Sequence, residues 1–73
     1  MIGMDKKELL TVYHYVAEIT RGDPREDGAT LIERHGYDTL VGAKRFINIT
    51  LSSGYYGSVY AKDGEAVYEL NKL

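Results

Sequence analysis

Basic side chains without acidic neighbours occupy a long stretch in the second half of the chain. Between positions 39 and 62 there are three cations and no acid, and polar and tyrosine side chains lie among them. Cations contact phosphate groups and aromatic rings stack on bases, so this mixture favours an interaction with nucleic acid. The predicted nucleic-acid-binding residues are Lys44, Arg45, Asn48, Tyr56, Tyr60 and Lys62.

The charge on either side of this stretch has the opposite sign. Residues 1–38 hold five cations and eight acids, and the whole chain has 9 Lys and Arg residues against 11 Asp and Glu residues, a net charge of −2. Three cations neutralise few phosphates, so binding to DNA would be weak unless a homodimer doubled the contacts. The same local excess of cations also arises by chance, in which case the lysines only solvate the surface.

Tyrosine dominates the aromatic residues, with seven Tyr against one Phe and no Trp. A tyrosine joins apolar area to a polar tip, which suits an interface with either protein or nucleic acid. In a small domain that cannot bury large rings, tyrosine is equally the natural residue at the rim of the core. Both interpretations stay open for Tyr55, Tyr56 and Tyr60, whereas Tyr13 and Tyr68 are assigned to the core.

The sequence contains few of the residue types and spacings that are typical of active sites or metal sites. The chain has no cysteine, which excludes disulfides, thiolate zinc sites and a cysteine nucleophile. His14 and His35 are the only imidazoles, and Ser52 and Ser53 stand in no recognisable nucleophile elbow. We therefore expect a protein that is not an enzyme and uses no metal or cofactor.

The length and composition are those of one small globular domain. The chain has 73 residues, of which 44% are apolar and 27% charged, and we assign residues 1–73 to a single domain. No apolar run approaches the roughly 18 residues of a membrane span. The expected location is the cytoplasm, with DNA or another protein as the partner and no contact with a membrane.

Three helices are predicted in the first two thirds of the chain. Residues 5–21 begin with the capping box of Asp5 and Glu8 and continue with apolar residues at helical spacing. A second, shorter helix ends at Gly36, and a third covers residues 38–53 with Asp38 as its cap. As a helix, the third segment places Leu40, Ala43, Ile47 and Leu51 on one face. Alternating β-branched residues leave a strand open as the alternative for residues 46–51.

A β-hairpin is predicted for the last third of the chain. Asp63 and Gly64 are the residue types of a type I′ turn, which pairs Lys62 with Glu65 and, further out, Val59 with Tyr68. One face of the hairpin is then predicted to pack on the helices. Its residues are Val59, Ala61, Ala66, Tyr68 and Leu70.

Three helices followed by a hairpin resemble a winged helix-turn-helix domain. The resemblance assigns residues 38–53 to the recognition helix and residues 56–70 to the wing. It implies a DNA-binding regulator or accessory factor whose third helix enters or flanks the major groove while the wing touches the backbone or minor groove.

The alternative function is a non-enzymatic protein-interaction module that uses the tyrosine-rich hairpin or the acidic helical half. The alternative fold has two helices and a three-stranded antiparallel meander.

Overall fold

The computed structural model describes residues 5–72, which form two helices and one antiparallel sheet. The sheet has four strands in the order β2-β1-β3-β4. The elements in chain order are α1 (Lys6–Val12), β1 (Tyr15–Arg21), β2 (Thr30–Tyr37), α2 (Leu40–Thr50), β3 (Tyr55–Ala61) and β4 (Ala66–Lys72). Neither helix is long and apolar enough to cross a membrane.

This α+β architecture corrects the prediction of three helices followed by a hairpin. The alternative fold was right in having two helices, but the sheet has four strands rather than three. The resemblance to a winged helix-turn-helix domain depended on three consecutive helices, so it loses its basis.

The first predicted helix is correct at its start and wrong after residue 12. Asp5 and Glu8 form the capping box, in which the Glu8 amide donates to Asp5 Oδ1 at 2.8 Å. The helix ends at Val12, and residues 15–21 form β1. All five residues Val16–Thr20 are buried because β1 is a central strand. A continuously buried segment places apolar residues at helical spacing without being a helix.

The second predicted helix is a strand. Residues 24–28 form turns and a bend, and β2 pairs with β1 along its whole length, with an irregularity between Ile19 and Thr20. Gly36 was predicted to end a helix, but it lies inside β2 where the ring of Tyr13 packs on the strand. A Cβ at Gly36 would lie 2.1 Å from Tyr13 Cδ2. The glycine permits close packing and marks no helix end.

The third predicted helix is confirmed as α2, so the strand alternative for residues 46–51 is wrong. Its cap is Thr39 and not Asp38, because Thr39 Oγ1 accepts a hydrogen bond from the Gly42 amide at 3.1 Å. The predicted apolar face is the one that packs on the sheet, where Ala43, Ile47 and Leu51 are buried.

The two helices lie on opposite sides of the sheet. Ile47 of α2 contacts β3 so closely that a Cβ at Gly57 would lie 2.4 Å from Ile47 Cγ2. Because side chains alternate along a strand, Tyr56 and Tyr60 face the other side, where Lys6 of α1 lies over the Tyr60 ring. We call these two sides the α2 side and the α1 side.

The predicted hairpin is β3 and β4, with its outer pairing confirmed and its turn different. Val59 pairs with Tyr68 as predicted, but Tyr60 pairs with Ala66, so the predicted inner pairs are wrong and Ala66 leaves the α2 side. Gly64 has φ +89° while Asp63 has a negative φ, which excludes a type I′ turn. The Gly64 amide instead donates to the Ala61 carbonyl at 2.8 Å. The extra residue shifts the pairing next to the turn.

Candidate nucleic-acid interface

Three of the predicted site residues lie together on the exposed part of α2. Lys44 Nζ is 4.9 Å from the centre of the Tyr68 ring, and Asn48 Oδ1 accepts a hydrogen bond from the Tyr68 hydroxyl at 3.1 Å. Tyr68 of β4 therefore orients two side chains that are one helical turn apart. Arg45 is exposed and makes no ion pair with the residues that the structure describes.

Tyr56 and Tyr60 do not join that group, because the sheet separates them from α2. Both lie on the α1 side, where Lys6 Nζ is 3.8 Å from the centre of the Tyr60 ring. Burial raises the pKa of Tyr60 above its usual range, and a hydrogen bond with Ser58 partly opposes this effect. The structure thus corrects the expectation that α2 shares one surface with Tyr56 and Tyr60.

Lys62 is also remote from α2. It lies in the β3–β4 turn and borders a shallow pocket of about 410 Å³ beside α1. Lys6, Lys7 and Leu10 of α1 line the other wall of this pocket. One predicted binding surface is therefore divided into α2 residues on one side and Tyr56, Tyr60 and Lys62 on the other.

Two cations that the sequence analysis did not select join α2 on its side of the sheet. Arg21, Tyr55 and Lys72 are cross-strand neighbours at one end of the sheet, where β1 and β4 end and β3 begins. Arg21 Nη2 donates to the Tyr55 hydroxyl at 3.3 Å, and its guanidinium carbon is 5.6 Å from the centre of that ring. Lys72 Nζ donates to the carbonyl of Leu51 at 3.4 Å, next to the end of α2. Only the strand pairing reveals this proximity, because Arg21 and Lys72 lie outside the acid-free stretch.

The resulting surface combines cations with aromatic rings and is here called the basic face. It consists of Arg21, Lys44, Arg45, Asn48, Tyr55, Tyr68 and Lys72. None of its four cations forms an ion pair with an acid within residues 5–72. Their charge is available to an anionic partner without first breaking a salt bridge.

Two arginines on the α1 side are, by contrast, held by acids. Arg34 Nε lies 2.7 Å from Glu18 Oε2, and the Glu18 side chain is only 8% exposed. Arg25 reaches across from the β1–β2 connection, where it binds Asp23 and donates to both carboxylate oxygens of Glu69. The hydrogen bond from Arg25 lowers the pKa of Asp23. The carboxylates neutralise these two arginines, so the arginines contribute less to the binding of a phosphate group.

Glu18 and Arg34 belong to a row of polar residues across the middle of the sheet. Glu18 is paired with Arg34 on one neighbouring strand and Ser58 on the other, and Ser58 is paired in turn with Glu69. Glu18 and Ser58 are buried, yet no buried side-chain nitrogen or oxygen in the described part of the chain lacks a hydrogen bond. A fully satisfied row of this kind fixes the strand pairing.

Side chains that could hold a metal ion are not grouped in residues 5–72, where no cluster of three His, Asp or Glu residues was found. Comparisons with protein family models, curated proteins and solved structures gave no significant match. The proposal for function therefore depends on the chemistry of the basic face.

Proposed function

We propose that the chain is a small cytoplasmic DNA-binding protein that contacts the duplex with its basic face. The observation that carries the proposal is the gathering of Arg21, Lys44, Arg45 and Lys72 on one side of the sheet, with no acid paired to any of them in the described part of the chain. Phosphate contacts by Lys and Arg supply most of the affinity of such proteins. The residues between these cations are two tyrosines and an asparagine, which add contacts to sugar, phosphate and bases.

The shape of α2 suits the major groove of B-DNA. The helix has 11 residues, so it is about 16 Å long, and Val41, Arg45, Asn48 and Ile49 on it are exposed. Lys44, Arg45 and Asn48 would enter or flank the groove. Arg21 and Lys72 lie beyond the end of α2, where they would reach the phosphates on one flank.

The proposed interface leaves out half of the residues predicted from the sequence. Tyr56, Tyr60 and Lys62 are on the α1 side, so they cannot reach the same stretch of DNA as α2. DNA binding by α2 also requires no helix-turn-helix, because the sheet supports α2 and leaves its outer face to contact DNA.

A fluorescence titration with a labelled DNA duplex at low and moderate salt tests this proposal. The first variant is Lys44→Glu with Arg45→Glu, which reverses two charges on the basic face. The matched control is Lys7→Glu with Lys62→Glu, which makes the same charge change at exposed positions on the α1 side. We expect the first variant to weaken binding at least tenfold and the control to change it less than twofold.

Two results would contradict DNA binding by this surface. One is the absence of binding by the native chain at low salt. The other is an equal loss of DNA affinity in both variants. That result would mean that binding depends only on the net charge and that α2 does not contact DNA specifically. Circular dichroism on both variants separates loss of the interface from loss of the fold.

A protein partner is the second candidate, and the exposed apolar residues of α2 favour it. Val41 is 64% exposed beside Arg45 on the outer surface of the helix. The two surfaces expected from the sequence fit less well, because the hairpin tyrosines point to both sides of the sheet and the acidic half contains β1 and β2. Stoichiometric recovery of one protein from nuclease-treated extract, lost on Val41→Asp but not on Val67→Asp, would support a protein partner over DNA.

A further inference from the structure

The outer edge of β2 is the free edge of the sheet that carries the most exposed apolar area. β2 is the last strand on its side of the sheet, and no backbone hydrogen bond outside the regular elements uses its residues within the described chain. A free edge with unpaired amides and carbonyls is a template for another strand. We propose that β2 pairs antiparallel with β2 of a second copy of this chain, which makes the protein a homodimer with one continuous sheet.

Exposed apolar side chains concentrate beside this edge. Leu31 and Ile32 belong to β2 and are 41% and 45% exposed. Ile49, at 77% exposed, lies on the same flank of α2 as Phe46, whose ring contacts those of His35 and Tyr37 on β2. At the opposite edge, Val67 is the exposed large apolar residue of β4 among those that the structure describes. Burial of the β2 patch favours a second copy at this edge.

An acidic and a basic residue of β2 face each other when two copies of β2 pair antiparallel. A two-fold axis perpendicular to the sheet keeps both α2 helices on one side, so residues that face each other must share a side of the sheet. With the axis at Arg34, Glu33 of each copy faces His35 of the other on the α2 side. Within one chain His35 Nε2 already lies 3.1 Å from Glu33 Oε1, so the cross-strand pairs extend this contact into a group of four alternating Glu and His side chains.

The same arrangement places the two Arg34 side chains near the axis on the α1 side. Each guanidinium keeps its own Glu18 carboxylate at 2.7 Å, so neither arrives as an uncompensated charge. Ile32 then faces Gly36, which covers an apolar side chain that is 45% exposed in the single chain.

The dimer would bring two basic faces to the same side of an eight-stranded sheet. Four cations per chain become eight, which meets the need for a doubled set of phosphate contacts. Dimerisation itself does not depend on DNA binding, so the two proposals can fail separately.

Light scattering after size exclusion, over a range of chain concentrations, tests the dimer. The test variant is Ile32→Lys and the matched control is Val67→Lys, because the two side chains are almost equally exposed, at 45% and 44%, and lie at irregular positions of opposite edge strands. We expect the native chain and the control to be dimeric, and the Ile32 variant to weaken association at least tenfold. A native chain that is still monomeric at about 1 mM would overturn the proposal, as would equal effects of the two substitutions.

Disulfide cross-linking tests the pairing itself, since the chain has no native cysteine. Directly opposed residues in antiparallel strands have Cα atoms about 4.5–5.5 Å apart, within the range of a disulfide. We expect an oxidised mixture of Glu33→Cys and His35→Cys chains to cross-link more than either variant alone. Equal cross-linking in the mixture and in each variant alone would reject the pairing centred on Arg34.

Discussion

Two glycines show how a missing side chain sets the packing at the residue scale. Gly36 accepts the ring of Tyr13 on the α1 side, and Gly57 accepts Ile47 on the α2 side. Neither has a positive φ, so both are required for space and not for backbone conformation. The two positions let the chain seat α1 and α2 close to the same thin sheet.

Substituting Gly36 with alanine should destabilise the protein by about 1–3 kcal/mol, because the new Cβ collides with the Tyr13 ring. The unfolding free energy from urea denaturation measures the loss. A double-mutant cycle with Tyr13→Ala is the control, since alanine at position 36 should cost little once the ring is gone. Additive effects of the two substitutions would show that the ring does not lie on Gly36.

At the scale of elements, α2 forms through local signals that its position on the sheet reinforces. Thr39 caps its first turn, and its buried face follows helical spacing from Ala43 to Leu51. The helix ends without a basic residue in its last turn, and Lys72 of β4 supplies that charge at the carbonyl of Leu51. A cation distant in sequence thereby stabilises the end of the helix.

The N-terminal cap of α2 can be tested by comparing substitutions at Thr39 and at the adjacent Asp38. Thr39→Ala should lower the unfolding free energy by about 1 kcal/mol, because the Gly42 amide loses its partner. Asp38→Ala should cost about 0.5 kcal/mol or less, since Asp38 is exposed and does not cap. Chemical denaturation of both variants measures the difference, and a larger loss at Asp38 would return the cap to the position predicted from the sequence.

At the scale of the whole molecule, the sheet separates two kinds of charged surface. The α1 side holds ion pairs in which Arg25 and Arg34 are bound by acids, whereas none of the four cations of the basic face is ion-paired within residues 5–72. A chain with a net charge of −2 can therefore carry a local excess of positive charge on one side of its sheet.

The salt dependence of DNA binding should report this separation. If all four cations of the basic face contact phosphate, the logarithm of the association constant for DNA should fall linearly with the logarithm of the salt concentration. The slope should be about −3.6 per chain. Arg21→Gln should reduce the magnitude of the slope by about 0.9. Arg25→Gln is the control, because Arg25 is already bound by Asp23 and Glu69, and it should leave the slope unchanged. Equal changes in the two variants would show that the position of a cation does not matter.

The candidate site could be predicted only in part. The acid-free stretch identified Lys44, Arg45 and Asn48, which share a helix, since residues three or four apart on a helix are neighbours wherever the helix is placed. Arg21 and Lys72 could not be found without the strand pairing. Tyr56, Tyr60 and Lys62 were grouped with α2 because the wing of a three-helix fold would have lain beside it.

The sequence by itself determined the structures that depend on residues close together in the chain. These are the capping box at Asp5, the amphipathic helix α2 and the position, though not the type, of the turn at Gly64, in which each signal acts within a few residues. The tertiary structure alone decided that residues 15–21 and 30–37 are strands, because their stability comes from partners distant in sequence. It also decided which side of the sheet each side chain faces, and therefore which cations act together.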